Sequence, residues 1–351
     1  MPALSTDIGI EAKVAHLQTP ESYPEPVERV EAIETHMAWV FLTNRHAYKM
    51  KKPVRLGGMD FRTLTARRRA CRSELVLNRR LAPDVYLGLR TLRIDPAGHL
   101  ALGPEPPDAH EGDVVEWLVQ MRRLPDERLL DVALDRGTAT PADLRPVGAL
   151  LARFYRNAAP VRLRTATYRR WLREDVYRNR MALIRAGHPL SRHRIEAVAD
   201  ALSAALRRRA GQFDARVQEG HVVDGHGDLR PEHVCLESPP VIIDCLEFSR
   251  ALRLLDPVDE LAFLALECER LGAPWAGQVV LDAYQAGTED APPEALRTFY
   301  ACRNAYQRAR LAVRHLTTHD TRAEPAVWMA QAQDYLDHAV RQLPALRAWV
   351  D

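Results

Sequence analysis

The chain's densest run of reactive side chains is Asp224-Gly-His-Gly-Asp-Leu-Arg-Pro-Glu-His233. After it, Val234-Cys-Leu, the turn Glu237-Ser-Pro-Pro240 and Val241-Ile-Ile predict a hairpin that ends at Asp244. A hairpin doubles the chain back, so Asp244 is expected near His233 and Asp228. Carboxylates brought together are costly unless a cation sits among them. Residues 221–270 fit that picture, with eleven acidic residues against four arginines and a local net charge of −7. Taken singly, the same residues have plainer uses. A loop aspartate most often caps a helix or closes a turn, and a lone histidine more often serves as a structural hydrogen-bonder. A metallohydrolase set can also be drawn from His221, Asp224, His226, Asp228 and His233, but no partner motif accompanies it.

A second signal lies in the basic residues. Of 49, only Lys13, Lys49, Lys51 and Lys52 are lysine. Three of those four fall within four residues. A codon effect leaves a few lysines by chance; a compact ammonium needed against phosphate also accounts for them. The sequence contains no G-x-x-x-x-G-K-[ST], G-x-G-x-x-G, G-x-S-x-G or His-Glu-x-x-His motif, which argues against P-loop, dinucleotide-binding, esterase-like and zincin chemistry.

These residues need elements to position them. Val27–Glu34, Met37–Thr43 and His46–Lys51 read as a β-meander turning at Thr43-Asn44-Arg45 and ending with Lys49. Strand alternation puts Lys51 on the same face as Lys49, though Lys51 and Lys52 are expected toward solvent or the strand's end. Gly57-Gly58 breaks the run, and Thr63–Leu81 reads as a helix. Strands follow at Val85–Ile94, Leu100–Leu102 and Val114–Met121, with a surface loop at Pro104–Asp108. After about residue 124 the pattern turns helical. Thr140-Pro141 is a helix start, and 167–186, 191–209, 257–271, 275–286, 293–316 and 325–348 read as helices. The expected fold class is α+β, with a strand-rich lobe over 1–123 and a mostly helical lobe over 124–351.

Composition sets the outer limits. The chain has 351 residues, 46% hydrophobic and 27% charged, as in a globular protein of two domains or two lobes. No apolar run approaches membrane-spanning length, and the first residues lack signal-peptide character. Five scattered cysteines imply a reducing cytoplasm. A net charge of +2 calls for no nucleic-acid or membrane partner, and no obligate protein partner is evident. Residues 161–210 carry a local charge of +9, read as solvated helix faces or as a phosphate-binding surface.

His226-Gly-Asp-Leu-Arg-Pro-Glu-His233, with Ile243-Asp244 sixteen residues beyond Asp228, resembles the catalytic loop and metal-binding aspartate of the aminoglycoside phosphotransferase branch of the protein-kinase-like fold. Asp256-Pro-Val-Asp-Glu-Leu-Ala262 resembles the segment that follows there. Lys49 and Glu74 stand where that fold's strand lysine and partner glutamate belong, and Val119–Leu124 resembles the linker strand between lobes. The similarity covers about residues 30–310. Ala47-Tyr-Lys-Met-Lys-Lys-Pro-Val54 and Leu77-Asn-Arg-Arg-Leu-Ala-Pro83 are most similar to an uncharacterised subgroup, whose members are sometimes fused to a P-loop kinase domain.

The resemblance implies an ATP- and magnesium-dependent kinase acting on a small-molecule hydroxyl. Lys49 would meet the phosphates, Glu74 would hold it, Asp228 would act as base and His226 would brace the loop. Asp244, His233 and Glu247 would serve the metal. Thr35 and His36 would line the phosphate turn, and Gln120, Met121 and Arg122 the adenine edge. Three departures stand out: His233 replaces an asparagine, which favours manganese if it is a ligand; Cys245-Leu-Glu247 follows the aspartate; and Glu34-Thr-His-Met-Ala38 has no glycine. The alternative reading is a non-catalytic nucleotide-binding regulator, a pseudokinase. A third is an RNA or phosphate-ligand binder using the arginines of 161–210.

Overall fold

Alternation of apolar and polar residues along His46–Lys51 decides how the amino-terminal sheet is covered. In the computed structural model, which describes residues 8–56, 59–105, 113–185, 187–317 and 324–351, this segment is a strand buried on both faces. The strands are β1 (Glu31–Glu34), β2 (Ala38–Leu42), β3 (His46–Lys51), β4 (Arg55–Leu56), β5 (Met59–Asp60), β6 (Tyr86–Ile94), β7 (Leu100–Pro104) and β8 (Asp113–Arg122). Six of them form one antiparallel sheet in the order β1-β2-β3-β8-β6-β7. Lys49 lies opposite Val40 on one side and Val119 on the other, while Tyr48 lies opposite Phe41 and Gln120. One face therefore carries Tyr48, Met50 and Phe41 into a core with Val14, Leu17, Tyr23, Leu92 and Leu118. The opposite face carries Lys49 and Lys51.

Two helices accompany this sheet, α1 (Ile10–Leu17) and α2 (Leu64–Asn78). Thr63 starts α2 by accepting the Ala66 N–H on its hydroxyl, a cap worth about 1 kcal/mol. Ala70, Cys71, Glu74 and Asn78 then recur at helical spacing on the buried side. Both helices are tied to β8 through Glu116, which is buried and receives Arg67 Nε at 2.7 Å and Lys13 Nζ at 2.9 Å. This accounts for Lys13, the lysine outside the cluster.

The chain divides into two compact units. The first comprises residues through Leu129 together with Val241–Arg250; the second comprises Leu130–Pro240 and Ala251–Asp351. The second is built from α3 (Leu130–Asp135), α4 (Pro141–Asn157), α5 (Thr165–Arg185), α6 (Arg192–Arg208), α7 (Ala210–Gln218), α8 (Arg250–Arg253), which runs into it, α9 (Pro257–Arg270), α10 (Pro274–Ala286), α11 (Glu294–Thr317), α12 (Pro325–Arg341) and α13 (Leu343–Val350). The helix start expected at Thr140-Pro141 is present, and there Thr140 and Asp143 form a reciprocal capping box. Tyr168, Leu202, Phe213, Phe299, Tyr300 and Leu336 belong to its core. The single helix expected over 325–348 is in fact two. Pro344 has no N–H to give and crowds the preceding turn, so the chain restarts as α13. The first strand is shorter than expected, beginning at Glu31. The expected break at Gly57-Gly58, and the residues beyond Glu105 in the expected loop Pro104–Asp108, lie outside the described residues.

Candidate active site

In the first unit, Lys49 and Lys51 project from alternate positions of β3 onto the face covered by α2. Glu74 sits between them, fully buried, and gives one oxygen to each: Oε1 lies 2.9 Å from Lys49 Nζ and Oε2 lies 2.5 Å from Lys51 Nζ. Each lysine also reaches a second carboxylate in the segment 241–250. Lys49 Nζ lies 2.5 Å from Asp244 Oδ1, and Lys51 pairs with Glu247. The result is a ladder of two ammoniums and three carboxylates. Burial alone would pull the Lys49 ammonium down, but Asp244, Glu74 and Glu247 hold it well above the ordinary lysine range. Burial would likewise raise Glu74, yet the two lysines hold its carboxyl below the usual range.

The segment carrying Asp244 is fastened by its backbone. The Asp244 N–H donates to the Tyr86 hydroxyl at 3.1 Å, and the Cys245 N–H donates to Asn78 Oδ1 at 2.8 Å. Asn78 in turn donates to the Glu74 carbonyl, one turn back on α2. Asp244 adopts φ 60°, a left-handed backbone that asparagine and aspartate tolerate better than most residues and that tends to occur where geometry is functionally constrained.

In the second unit, the loop before the expected hairpin is held from beneath by Glu260 of α9. Its carboxylate accepts the N–H of His226 at 3.0 Å, the N–H of Gly227, and the Tyr155 hydroxyl at 2.7 Å. Burial raises this carboxyl, and those three hydrogen bonds oppose the rise. Gly225 is required here because a Cβ would come within 2.6 Å of Glu260 Oε2, and Gly227 because its φ is 89°. The buried His226 ring accepts the Asp228 N–H on Nδ1 at 3.3 Å. His233, also buried, donates from Nδ1 to the Asp228 carbonyl at 2.8 Å, which assigns the lone pair to Nε2. The Asp228 carboxylate stays partly exposed, 3.2 Å from Arg230 Nε.

The structure thus groups Lys49, Glu74, Asp244 and Glu247 in one unit and His226, Asp228 and His233 in the other. Glu247, expected at a metal, is paired with Lys51. Lys51, expected toward solvent or the strand's end, is the last residue of β3 but is buried, because α2 and the segment 241–250 cover the face that alternation assigns it. The Thr35 hydroxyl closes its own turn, donating to the Ala38 carbonyl at 2.9 Å and accepting the Ala38 N–H at 3.0 Å; His36 beside it is exposed. The Gln120 side chain points to the face opposite Lys49, where it donates to the Tyr48 hydroxyl and accepts from Arg90 Nε. Met121 shares the Lys49 face, across from Ala47 and Tyr86. The Arg122 N–H donates to the Val85 carbonyl at 2.8 Å.

Glu260 was not among the residues expected from sequence. It lies in the segment Asp256–Ala262 that resembles the family's, but nothing local says which acid there turns under the loop. Glu260→Gln leaves one acceptor oxygen for three donors. It should cost about 1–3 kcal/mol of stability, as a lost buried acceptor does, and lower any turnover through the displaced loop. Chemical denaturation and turnover measured on one preparation check both effects; a variant as stable as wild type would mean the loop holds itself.

A choline/ethanolamine kinase family protein from Mesorhizobium loti aligns over 97% of this chain and 99% of its own, with TM-score 0.56 and 15% identity. Choline kinase from Cryptosporidium parvum gives TM-score 0.55 over 97% of this chain and 99% of its own, at 11% identity. The chain has the protein-kinase-like fold. A thermostable variant of an aminoglycoside phosphotransferase, the branch suggested by the sequence, aligns at TM-score 0.50 and 12% identity, over 90% of this chain and 95% of its own. By sequence, uncharacterised proteins of Mycobacterium tuberculosis and Mycobacterium bovis are 34% identical over 325 residues. That stretch is 90% of this chain and 61% of the relatives' length. No family model matches. Among the described residues, no helix is long and apolar enough to cross a membrane.

Proposed function

We propose that this chain is an ATP- and divalent-cation-dependent phosphotransferase acting on a hydroxyl of a small molecule. The observation that carries the reading is the Lys49–Glu74 pair on β3 and α2 with Asp244 beside it. A lysine fixed by a buried glutamate is a point charge suited to phosphate oxygens. The fold is shared with solved structures of choline and ethanolamine kinases, which supports a small hydroxyl acceptor. Asp228 would orient that hydroxyl and take its proton, while His226 and Glu260 keep the loop in place.

The donors fit a hard cation. Among the described residues, no group of three or more His, Cys, Asp or Glu could hold a metal unaided. Magnesium is commonly bound by one or two carboxylates, with phosphate oxygens and water completing its shell. Asp244 is the carboxylate we assign to it, and His233 Nε2 is a nitrogen donor that would favour manganese. When bound, the cation neutralises phosphate charge. We place the chain in a reducing cytoplasm on its five scattered cysteines, which include no Cys-x-x-Cys pair.

The second reading, a nucleotide-binding regulator without turnover, draws on the glycine-free β1–β2 turn, whose Thr35 hydroxyl is already committed to Ala38. Two measurements separate the possibilities. ATP should raise the melting temperature only with a divalent cation present, by an amount equivalent to about 2.7 kcal/mol at a hundredfold excess over Kd. Equal shifts with and without a chelator would count against Asp244 as a ligand. ATP consumption with any hydroxyl acceptor would eliminate the regulator.

A further inference from the structure

The ladder's charges do not share one environment. At one end, the side chains of Lys49 and Asp244 are 14% and 41% exposed; at the other, Lys51 and Glu247 are 2% and 9% exposed. Glu74 joins the two ends with one oxygen each. A group that exchanges its partner for a substrate's phosphate or a cation must be reached from solvent. A pair sealed from water keeps its partner, because separating either charge would leave the other buried and uncompensated.

Building on the phosphotransferase reading, we infer that Lys51 is a positioning residue and Glu247 its fixed counterion, not a metal ligand. Lys51 occupies Glu74 Oε2 and so directs Oε1 toward Lys49. It also cancels charge that would otherwise fall on Lys49 alone. Without Lys51, three carboxylates would face one ammonium, and Lys49 would be held by protein oxygens in competition with phosphate. Glu247 balances Lys51 in turn and pins the segment 241–250 close to β3.

A charge-balanced double substitution tests this. In nucleotide-free protein, Lys51→Met and Glu247→Gln should each lower the melting temperature by several degrees, whereas the double variant should lose clearly less than the sum of the two. Lys51→Met should weaken ATP binding about tenfold, and adding Glu247→Gln should restore most of that loss. Titration of magnesium at fixed ATP supplies a readout that a purely structural role would not move. The half-saturating magnesium concentration should stay within about threefold for Glu247→Gln and rise more than about tenfold for Asp244→Asn.

Additive melting losses, or a tenfold rise in the magnesium requirement for Glu247→Gln, would overturn the inference. If the wild type binds no nucleotide, the phosphotransferase reading fails by itself. The melting cycle then still decides whether Lys51 and Glu247 form a coupled pair.

Discussion

Asp228→Asn should lower phosphoryl transfer by about 10²–10⁴-fold while leaving ATP affinity within a few-fold, the range expected when a general base is removed. The substitution is nearly isosteric, and the structure explains why the damage should stay chemical. The loop is held through the backbone: His226 accepts the Asp228 N–H and His233 donates to its carbonyl, and neither contact needs the carboxylate. The residues assigned to phosphate, Lys49 and Glu74, belong to the other unit. Arg230 would lose an ion-pair partner on Asp228 but retain Glu232 at 2.8 Å. Single-turnover kinetics with ATP and a competent acceptor, beside direct ATP binding, separates chemistry from affinity. Turnover that survives would remove Asp228 from the base role and leave it a structural loop residue.

Glu74→Gln should produce the largest loss of stability, about 3–5 kcal/mol, the scale seen when one member of a buried ion pair is removed. Two ammoniums converge on this fully buried carboxylate, and an amide cannot neutralise them. ATP affinity should also fall, by about tenfold or more, because Lys49 loses the partner that aims it. The effect has a defined pH signature. The folded-state carboxyl lies below its free value of 4.5, so its contribution is fully present above pH 4.5 and is lost as pH falls through the depressed folded value. The stability gap between wild type and variant should therefore be widest near neutrality and narrow on acidification. Urea unfolding across that range measures it. A gap under about 1 kcal/mol at neutral pH would mean the ladder is not electrostatically coupled.

The elements that position the site were largely legible in local order. The alternation of His46–Lys51 and the apolar spacing of α2 each act over a few residues, so pattern reveals them. The same holds for Thr140-Pro141, whereas the roles of Gly225 and Gly227 in the loop 224–233 emerged only from the structure. Local signals place Lys49 on a strand and Glu74 in a helix, and the resemblance implied that the two meet.

What remained hidden depended on contacts far apart in the chain. Alternation assigned Lys51 to the Lys49 face but could not say that this face is covered. The cover includes a segment nearly 200 residues later, where Lys51 meets Glu247 and Lys49 meets Asp244. Gln120 was expected at the adenine edge within the linker 119–124, yet its side chain falls on the face opposite Lys49, an outcome of the β3–β8 register. Glu260 stands beside Asp259, and only the packing of α9 turns the first under the loop and the second toward Arg303. Sequence alone determined the α+β fold class, because propensity and periodicity are local, while the pairing of Lys49 with Glu74 and the role of the loop carrying Asp228 were implied by the family resemblance. Tertiary structure decided which charges are sealed from water and which stay open, because burial depends on what distant segments bring to cover a face.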